Sequence, residues 1–190
     1  MADFTIDINH CLRVLQSGGI VLFPTDTIWG IGCDATNSAA VDKILAIKQR
    51  PSANGFIVLM EDEKEIPKYV SQAGIRIFDY INGVTKPITV IYSGGKNIAG
   101  NILPEDGSLA IRLVKDAFCK QLIKSFGKPI VSTSANLHGF PAPVIFRDVD
   151  ITVKLAVDYV VAYNQENEEA KEPSSVIKWM PDGTIEIVRP

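Results

Sequence analysis

The chain has 190 residues, 46% of them hydrophobic and 22% charged, with a formal net charge of -3. A chain of this length buries roughly 70% of its unfolded surface, so we expect one domain spanning residues 1–190 with its own core. No apolar run reaches the ~18 residues that a membrane helix needs, and the net charge provides no general attraction for nucleic acid.

The cysteines and histidines exclude several kinds of site. Cys11, Cys33 and Cys119 are odd in number and widely spaced, which argues against a disulfide framework and against a zinc site. His10 and His138 offer almost nothing from which to build a Ser-His-Asp triad. We therefore expect a protein of the reducing cytoplasm whose site is made of other groups.

The first third of the chain predicts alternating helices and strands. Apolar residues at helical spacing predict a helix over about 7–17, which Gly18-Gly19 end. A strand is expected at 20–23, a helix at 38–49 and a buried strand at 56–60. Asn37 or Ser38 can cap the second helix, and Pro51 ends it. The stretch PTDTIWGIG (24–32) predicts a turn between the first strand and that helix.

The rest of the chain continues in the same way. Helical patterns lead from residue 61 to 80 and recur near 116–126 and 147–156, and strand patterns occur at 88–92, 109–113, 129–132, 159–162, 176–179 and 184–188. This interleaving predicts an α/β fold: a mixed, twisted, mostly buried sheet flanked by helices. The segment NQENEEAKE (164–172) contains one apolar residue and predicts an exposed loop, which either covers a bound nucleotide or is disordered.

Three polar segments are candidates for a binding site. PTDT (24–27) can orient a small zwitterion or a phosphate, or it simply makes a turn. Lys48 and Arg50 project together beyond their helix only if it unwinds before Pro51; otherwise they complement the helix dipole. STSAN (132–136) carries three hydroxyls and an amide, which favour binding of an oxyanion or a nucleotide over helix capping.

Two familiar nucleotide motifs are weak or missing. Gly30-Ile-Gly-Cys-Asp-Ala satisfies G-x-G-x-x-A, with Glu61 as a candidate ribose-binding acid. However, six residues (24–29) separate these glycines from the preceding strand, and Glu61 is too far along the chain. The chain has no G-x-x-x-x-G-K-[ST] segment, so any binding of ATP is expected to occur without a P-loop.

Taken in order, PTDT…WGIG, KQRP, LAIR and STSAN resemble the YrdC/TsaC family of L-threonylcarbamoyladenylate synthases, over about Gly18 to Arg189. The resemblance implies a YrdC-like α/β fold and a nucleotidyltransferase. Its reaction would join L-threonine, bicarbonate (or CO2) and ATP into threonylcarbamoyl-AMP and pyrophosphate, for the N6-threonylcarbamoyladenosine (t6A) modification of tRNA. Mg2+ is expected with ATP, and tRNA, double-stranded RNA and downstream t6A-transfer enzymes are the implied macromolecular partners.

The resemblance also implies roles for individual residues. Those for L-threonine are Thr25, Arg112, Ser132 and Ser174. Those for ATP are Lys48, Arg50, Ser134, Asn136 and Arg189, of which the first four form the catalytic set. Gly30 and Gly32 would let the backbone turn close to the ligand. Asp26 has two interpretations: a proton acceptor for the threonine ammonium, or a solvated turn carboxylate, which we favour.

The chain departs from the family pattern at several places. Residues 84–89 (VTKPIT) replace W-P-G-P-x-T, His138 replaces a serine, Arg112 is followed by Leu-Val instead of x-Pro, and Ser175 replaces a threonine. These changes concern the rim of the expected pocket. The chain stops at Pro190, as expected for the stand-alone form of the family without the additional C-terminal domain.

Two alternative functions stay open. The first is a binding module for double-stranded RNA or tRNA, using a basic face. Its candidate residues are Arg13, Lys48, Arg50, Arg112 and Lys115. The second is a YciO-like paralogue of uncertain activity, against which the intact KQR and SAN triplets argue.

Overall fold

The computed structural model describes residues 3–53, 55–73, 75–180 and 182–190. Its strands are β1 (Val21–Phe23), β2 (Gly30–Asp34), β3 (Ile57–Met60), β4 (Ile88–Tyr92), β5 (Leu109–Leu113), β6 (Ile130–Ser134), β7 (Tyr159–Val160), β8 (Ser175–Trp179) and β9 (Ile185–Arg189). Its helices are α1 (Thr5–Gln16), α2 (Ser38–Lys48), α3 (Ile75–Asn82), α4 (Ala117–Phe126) and α5 (Ile151–Ala156). Short 3-10 helices occupy Glu63–Lys68, Gly100–Ile102 and Phe146–Asp148.

The strands form one mixed sheet in the order β7-β1-β2-β6-β3-β5-β4-β8-β9. The pairs β1–β7, β3–β5 and β4–β8 are parallel, and the remaining neighbours are antiparallel. The predicted fold class, a mixed sheet flanked by helices, is confirmed. Among the helices of the described ranges, none combines the length and the apolarity needed to cross a membrane.

Helices cover both faces of the sheet. On one face, the apolar sides of α1 and α4 pack against the core through residues such as Leu15 and Phe118. On the other face, Val41 and Ile44 of α2 and Ile77 of α3 belong to a second, larger cluster. The central strands are buried between these layers, whereas the edge strand β9 is exposed.

A local feature sets each end of α2. At its start, Oδ1 of Asn37 accepts a hydrogen bond from the Ala40 N–H at 3.2 Å, as predicted. At its end, Gln49 takes the left-handed conformation with φ 52°, and its N–H bonds the Ala46 carbonyl. The helix therefore ends at Lys48, before Pro51.

The predicted turn over residues 24–32 is wrong at its second half. Gly30–Asp34 is a strand that pairs with β1 on one side and β6 on the other. A Cβ atom on Gly32 would lie 2.2 Å from the Val131 carbonyl oxygen. Glycine is needed at position 32 because β2 and β6 approach closely there, and the backbone is extended where a turn was predicted.

Most other predicted elements are present with shifted ends. The strands at 88–92 and 109–113 have the predicted bounds, whereas the strand predicted at 129–132 extends to Ser134. The helix predicted near 147–156 divides into a 3-10 turn and α5. Residues 164–172 contain neither helix nor strand, and their Glu168 carboxylate pairs with Arg147.

Candidate functional site

The site begins where one face of the sheet changes from apolar to polar. Alternate residues of a strand face the same side. On β6, Ile130 lies in the core under α1 and α4, whereas Ser132 and Ser134 line a pocket of about 180 Å³. A Cβ atom on Gly30, in the neighbouring strand, would lie 2.9 Å from Ser132 Oγ. The missing side chain therefore keeps this pocket open.

The side chains that line the pocket come from most of the length of the chain. Seven of the nine residues predicted for the site line it: Thr25, Arg50, Arg112, Ser132, Ser134, Ser174 and Arg189. Apolar parts of the wall come from Ile28, Ile57 and Ala142. Among the described residues, Lys48 and Asn136 are the two predicted members that lie outside the lining.

Arg112 is the most buried cation that lines the pocket. Its side chain is 4% exposed and lies with Nη2 3.3 Å from Oδ1 of Asp26, which is itself 8% exposed. Nη1 donates a hydrogen bond to Thr27 Oγ1 at 3.0 Å, and Nε has no partner in the described part of the chain. The interpretation of Asp26 as a solvated turn carboxylate is wrong, because the carboxylate is largely buried and paired with Arg112 of β5.

The threonines of the PTDT segment bond to each other. The hydroxyls of Thr25 and Thr27 lie 2.9 Å apart, and the Thr25 hydroxyl donates to the Ile28 carbonyl at 2.8 Å. The N–H of Thr27 also donates to Thr25 Oγ1, at 3.0 Å. Sequence reasoning identified the segment but missed Thr27, because nothing in the sequence indicates which hydroxyl meets Arg112.

Lys48 is buried beneath the pocket and does not project beyond its helix. The side chain is 2% exposed. Its ammonium donates to the carbonyl of Ser134 at 2.5 Å, to that of Asn136 at 2.7 Å and to Asn136 Oδ1 at 3.2 Å, which uses all three of its N–H groups. Burial, and then the positive charge of Arg50, lower the pKa of Lys48 from 10.5 to about 8.

Some polar side chains of the STSAN segment bond within the protein, and others face the pocket. The amide of Asn136 is used internally, because Nδ2 donates to the carbonyls of Leu137 and Phe140 while Oδ1 accepts from Lys48. The hydroxyls of Ser132 and Ser134 have no hydrogen-bond partner within the described ranges and border the pocket. These two hydroxyls are the neutral donors that a ligand can reach.

The far wall of the pocket comes from the C-terminal strands. Ser174 is 1% exposed, and its hydroxyl lies 2.8 Å from that of Thr89 on β4. Its carbonyl accepts hydrogen bonds from Nε and Nη2 of Arg189 at 3.2 and 2.7 Å. Sequence reasoning missed Thr89, since a lone threonine in a strand carries no signal of this contact. Thr89 holds Ser174, which in turn holds Arg189 at the pocket.

A loop predicted to be exposed borders the same region. The ammonium of Lys171 lies 3.4 Å from the Thr25 carbonyl oxygen. Asn164, Asn167 and Glu169 line a small hollow that Thr25 also lines. The segment 164–172 is therefore adjacent to PTDT in this structure.

The cysteines lie outside the pocket lining, and Cys119 contacts the PTDT segment through its thiol, which donates to the Pro24 carbonyl at 3.5 Å. All three are buried free thiols. Burial, and then the charge of Asp7, raise the pKa of Cys11 to about 12, and burial raises that of Cys33 further. These thiols stay protonated and unreactive at neutral pH.

The mixed α/β sheet bears on one face a pocket lined by arginines and serines, a lining whose chemistry suits small anionic ligands. The family model Sua5/yciO/yrdC, described as "Telomere recombination", matches residues 13–190. The chain belongs to this family.

Curated relatives and solved structures agree with that assignment. The threonylcarbamoyl-AMP synthase of Pseudoalteromonas translucida (strain TAC 125) is 37% identical over 135 residues, 70% of this chain and 72% of the relative. That of Coxiella burnetii (strain RSA 331) is 34% identical over 155 residues, 80% of each chain.

Two crystal structures have the same fold. E. coli YciO has a TM-score of 0.83 at 22% identity, covering 100% of this chain and 90% of its own. P. abyssi Sua5 complexed with L-threonine has a TM-score of 0.87 at 20% identity, covering 100% of this chain and 55% of its own.

Proposed function

We propose that the protein is a cytoplasmic L-threonylcarbamoyladenylate synthase, a nucleotidyltransferase acting on L-threonine, bicarbonate (or CO2) and ATP. The observation that carries the proposal is the buried guanidinium of Arg112, which lines one pocket together with the unpartnered hydroxyl of Ser132 and the side chains of Arg50 and Arg189. The curated relatives described above bear the corresponding name, threonylcarbamoyl-AMP synthase.

The pocket suits an amino acid better than a nucleotide. Its volume of about 180 Å³ is below the ~300 to 1,000 Å³ of sites that enclose drug-sized ligands. The guanidinium of Arg112 would bind the threonine carboxylate through a charge-assisted fork, and the Ser132 hydroxyl would bond beside it. Thr25 and Ser174, whose hydroxyls already bond within the protein, would contact threonine as parts of the wall.

ATP would lie across the rim of the pocket. Arg50, Ser134 and Arg189 are the proposed contacts that line it. Lys48 and Asn136 are also proposed to act on ATP, but they would do so without lining the pocket. Lys48 would hold the Ser134–Asn136 backbone and place a positive charge beneath the phosphates. A buried charge acts over several ångströms because the surrounding dielectric constant is low.

Mg2+ would enter with the nucleotide. In the described part of the chain, no three His, Cys, Asp or Glu side chains form a group that could hold a metal ion. The cations and hydroxyls that line the pocket fit phosphate oxygens, and these oxygens would be the principal ligands of Mg2+. The ion would supply neutralisation of phosphate charge.

The reaction needs positioning and charge neutralisation more than covalent help from the protein. The threonine amine condenses with bicarbonate to give a carbamate and water. A carbamate oxygen then attacks the α-phosphorus of ATP, the bond to the β-phosphate oxygen breaks, and pyrophosphate leaves. Arg50, Lys48 and Arg189 would stabilise the charge on the leaving pyrophosphate, while Arg112 fixes the threonine end. The product is a reactive adenylate, which a downstream t6A-transfer enzyme would consume.

The direct test is pyrophosphate release by purified protein with ATP, Mg2+, bicarbonate and single amino acids, together with detection of the adenylate by mass spectrometry. We expect release that requires both threonine and bicarbonate. Arg50→Ala should abolish it, whereas Arg147→Ala, which removes an exposed arginine paired with Glu168, should not. Absence of threonine-dependent release from folded protein that binds ATP would contradict the proposal.

A further inference from the structure

The hydrogen-bond donors in the PTDT turn can be assigned from their geometry. Each threonine hydroxyl has one proton and accepts two hydrogen bonds. The proton of Thr25 goes to the Ile28 carbonyl, so the contact between the two hydroxyls has Thr27 as its donor. Thr25 Oγ1 then accepts from both the hydroxyl and the N–H of Thr27 and is fully used. Thr27 Oγ1 accepts from Arg112 Nη1.

Asp26 completes the contact between this turn and Arg112. Its Oδ1 faces Nη2 of Arg112 at 3.3 Å, and its Oδ2 accepts a hydrogen bond from the Lys115 N–H at 3.3 Å. Arg112 lines the pocket, whereas Asp26 is absent from the described residues that line it. The carboxylate therefore lies behind the guanidinium, on the side away from the ligand.

We propose that the turn Thr25–Asp26–Thr27 is a positioning device for Arg112, in which Asp26 and Thr27 fix the guanidinium that receives the substrate carboxylate. The inference rests on the proposed function and deepens it. Two nitrogens of Arg112 are held by the turn, and the unpartnered Nε–H belongs to a residue that lines the pocket. Asp26 lies outside the pocket lining, whereas Thr27 lines the pocket with its hydroxyl proton already donated to Thr25. Both are positioning residues, because each acts on the substrate through Arg112.

The same geometry argues against Asp26 as the acceptor of the threonine proton. A general base must lie within hydrogen-bond reach of the proton or one water away from it. The neighbouring Thr25 hydroxyl has no free acceptor site through which a proton could be passed.

The test compares Thr27→Val, which keeps the shape of the side chain and removes the acceptor for Arg112, with wild-type protein. Calorimetry would give the threonine dissociation constant, and steady-state kinetics would give kcat and separate KM values for threonine and ATP. We expect the threonine dissociation constant and KM to rise about 10- to 100-fold with the ATP KM unchanged, since small misplacements of binding groups have effects of this size. The matched control is Thr36→Val, which removes a 2.6 Å hydroxyl bond to Asp34, remote from the pocket.

Asp26→Asn provides a second variant that keeps size and removes charge. It should show the same change in threonine KM, and its effect should not add to that of Thr27→Val, because both act through Arg112. If Asp26→Asn does not fold, the threonine dissociation constant and KM of Thr27→Val decide whether the positioning role holds.

Three outcomes would overturn the assignment, and they are distinguishable. A lower kcat in Asp26→Asn at unchanged threonine KM, restored at high pH, would make Asp26 the proton acceptor. Unchanged threonine KM in both variants, in a protein whose wild type binds threonine, would overturn the assignment and leave the proposed function intact. A folded wild type that binds no threonine would overturn both.

Discussion

Substitution of Lys48 by Met tests the part of the site that is least visible from the surface. The change keeps the length of the side chain and removes an ammonium that bonds three oxygens of Ser134 and Asn136. The lowering of its pKa from 10.5 to about 8 corresponds to about 3 kcal/mol by which the fold disfavours the charged form. The three lost hydrogen bonds contribute about 1.5 kcal/mol each, because their donor is charged. The two effects nearly cancel, so we expect the free energy of unfolding to change by less than about 2 kcal/mol.

Function should respond much more strongly than stability. Without the ammonium, the Ser134–Asn136 segment loses its hydrogen bonds to Lys48. The ATP site also loses the buried positive charge beneath it. We expect pyrophosphate release to fall about 100-fold, with a higher KM for ATP. The matched control is Lys43→Met, because Lys43 lies on the same helix and its ammonium bonds the Gly18 carbonyl at 2.8 Å on the exposed surface. Activity of Lys48→Met within about 2-fold of wild type would refute the reasoning.

The same lysine gives a pH dependence of stability with a defined sign. Between about pH 8 and 10.5 the unfolded chain keeps its proton on Lys48 while the folded protein has lost it. Because the unfolded state binds more protons there, the free energy of unfolding contributed by this group rises with pH across that window. Urea denaturation of the wild type and of Lys48→Met at several pH values would measure the difference. A difference that stays constant with pH would contradict the assignment.

Three further predictions concern stability. Gly32→Ala should lower the free energy of unfolding by about 3 kcal/mol or more, measured by urea denaturation, because the new Cβ would lie 2.2 Å from the Val131 carbonyl oxygen; a wild-type midpoint would contradict the packing. Ser174→Ala should cost about 1 to 3 kcal/mol, since it leaves the buried threonine hydroxyl of β4 without a partner; Ser174→Thr, which keeps the hydroxyl, is the comparison. Burial raises the pKa of Asp34, but hydrogen bonds, the largest from Lys128, lower it overall, below the ordinary value of 3.8. Lys128→Met should therefore cost about 1 kcal/mol at neutral pH, and that cost should disappear as acid protonates Asp34; a cost that persists in acid would show that the ion pair is not its origin.

The parts of the fold that sequence patterns predicted are those with strong local signals. The strands at 88–92 and 109–113 consist largely of branched apolar residues, and their bounds needed no knowledge of their partners. Strand β2 was missed because Gly30 and Gly32 lack the side chains that favour strands. Its existence depends on pairing with β6, a hundred residues later in the chain.

The same distinction between local signals and long-range contacts applies to the site. Four motifs in order contain five of the seven predicted residues that line the pocket, because motif spacing depends on residue identity alone; Ser174 and Arg189 lie outside those motifs. Their burial could not be predicted in this way. Lys48 is buried through contacts with a segment 86 residues away, and Thr27 meets Arg112 across 85 residues. The environment of Asp26 was predicted wrongly for the same reason.

The wide spread of the pocket residues along the chain, from Thr25 to Arg189, has a consequence for how the protein matures. Long-range strand pairs form late and slowly, because the loops that they close carry a large entropy cost. The pocket is therefore not complete in a nascent chain until β9, which carries Arg189, has joined the sheet. Any ligand that engages both ends of the pocket binds only the finished fold and stabilises it by mass action. The concentration of that ligand in the cell would then influence how much of the newly made protein survives quality control.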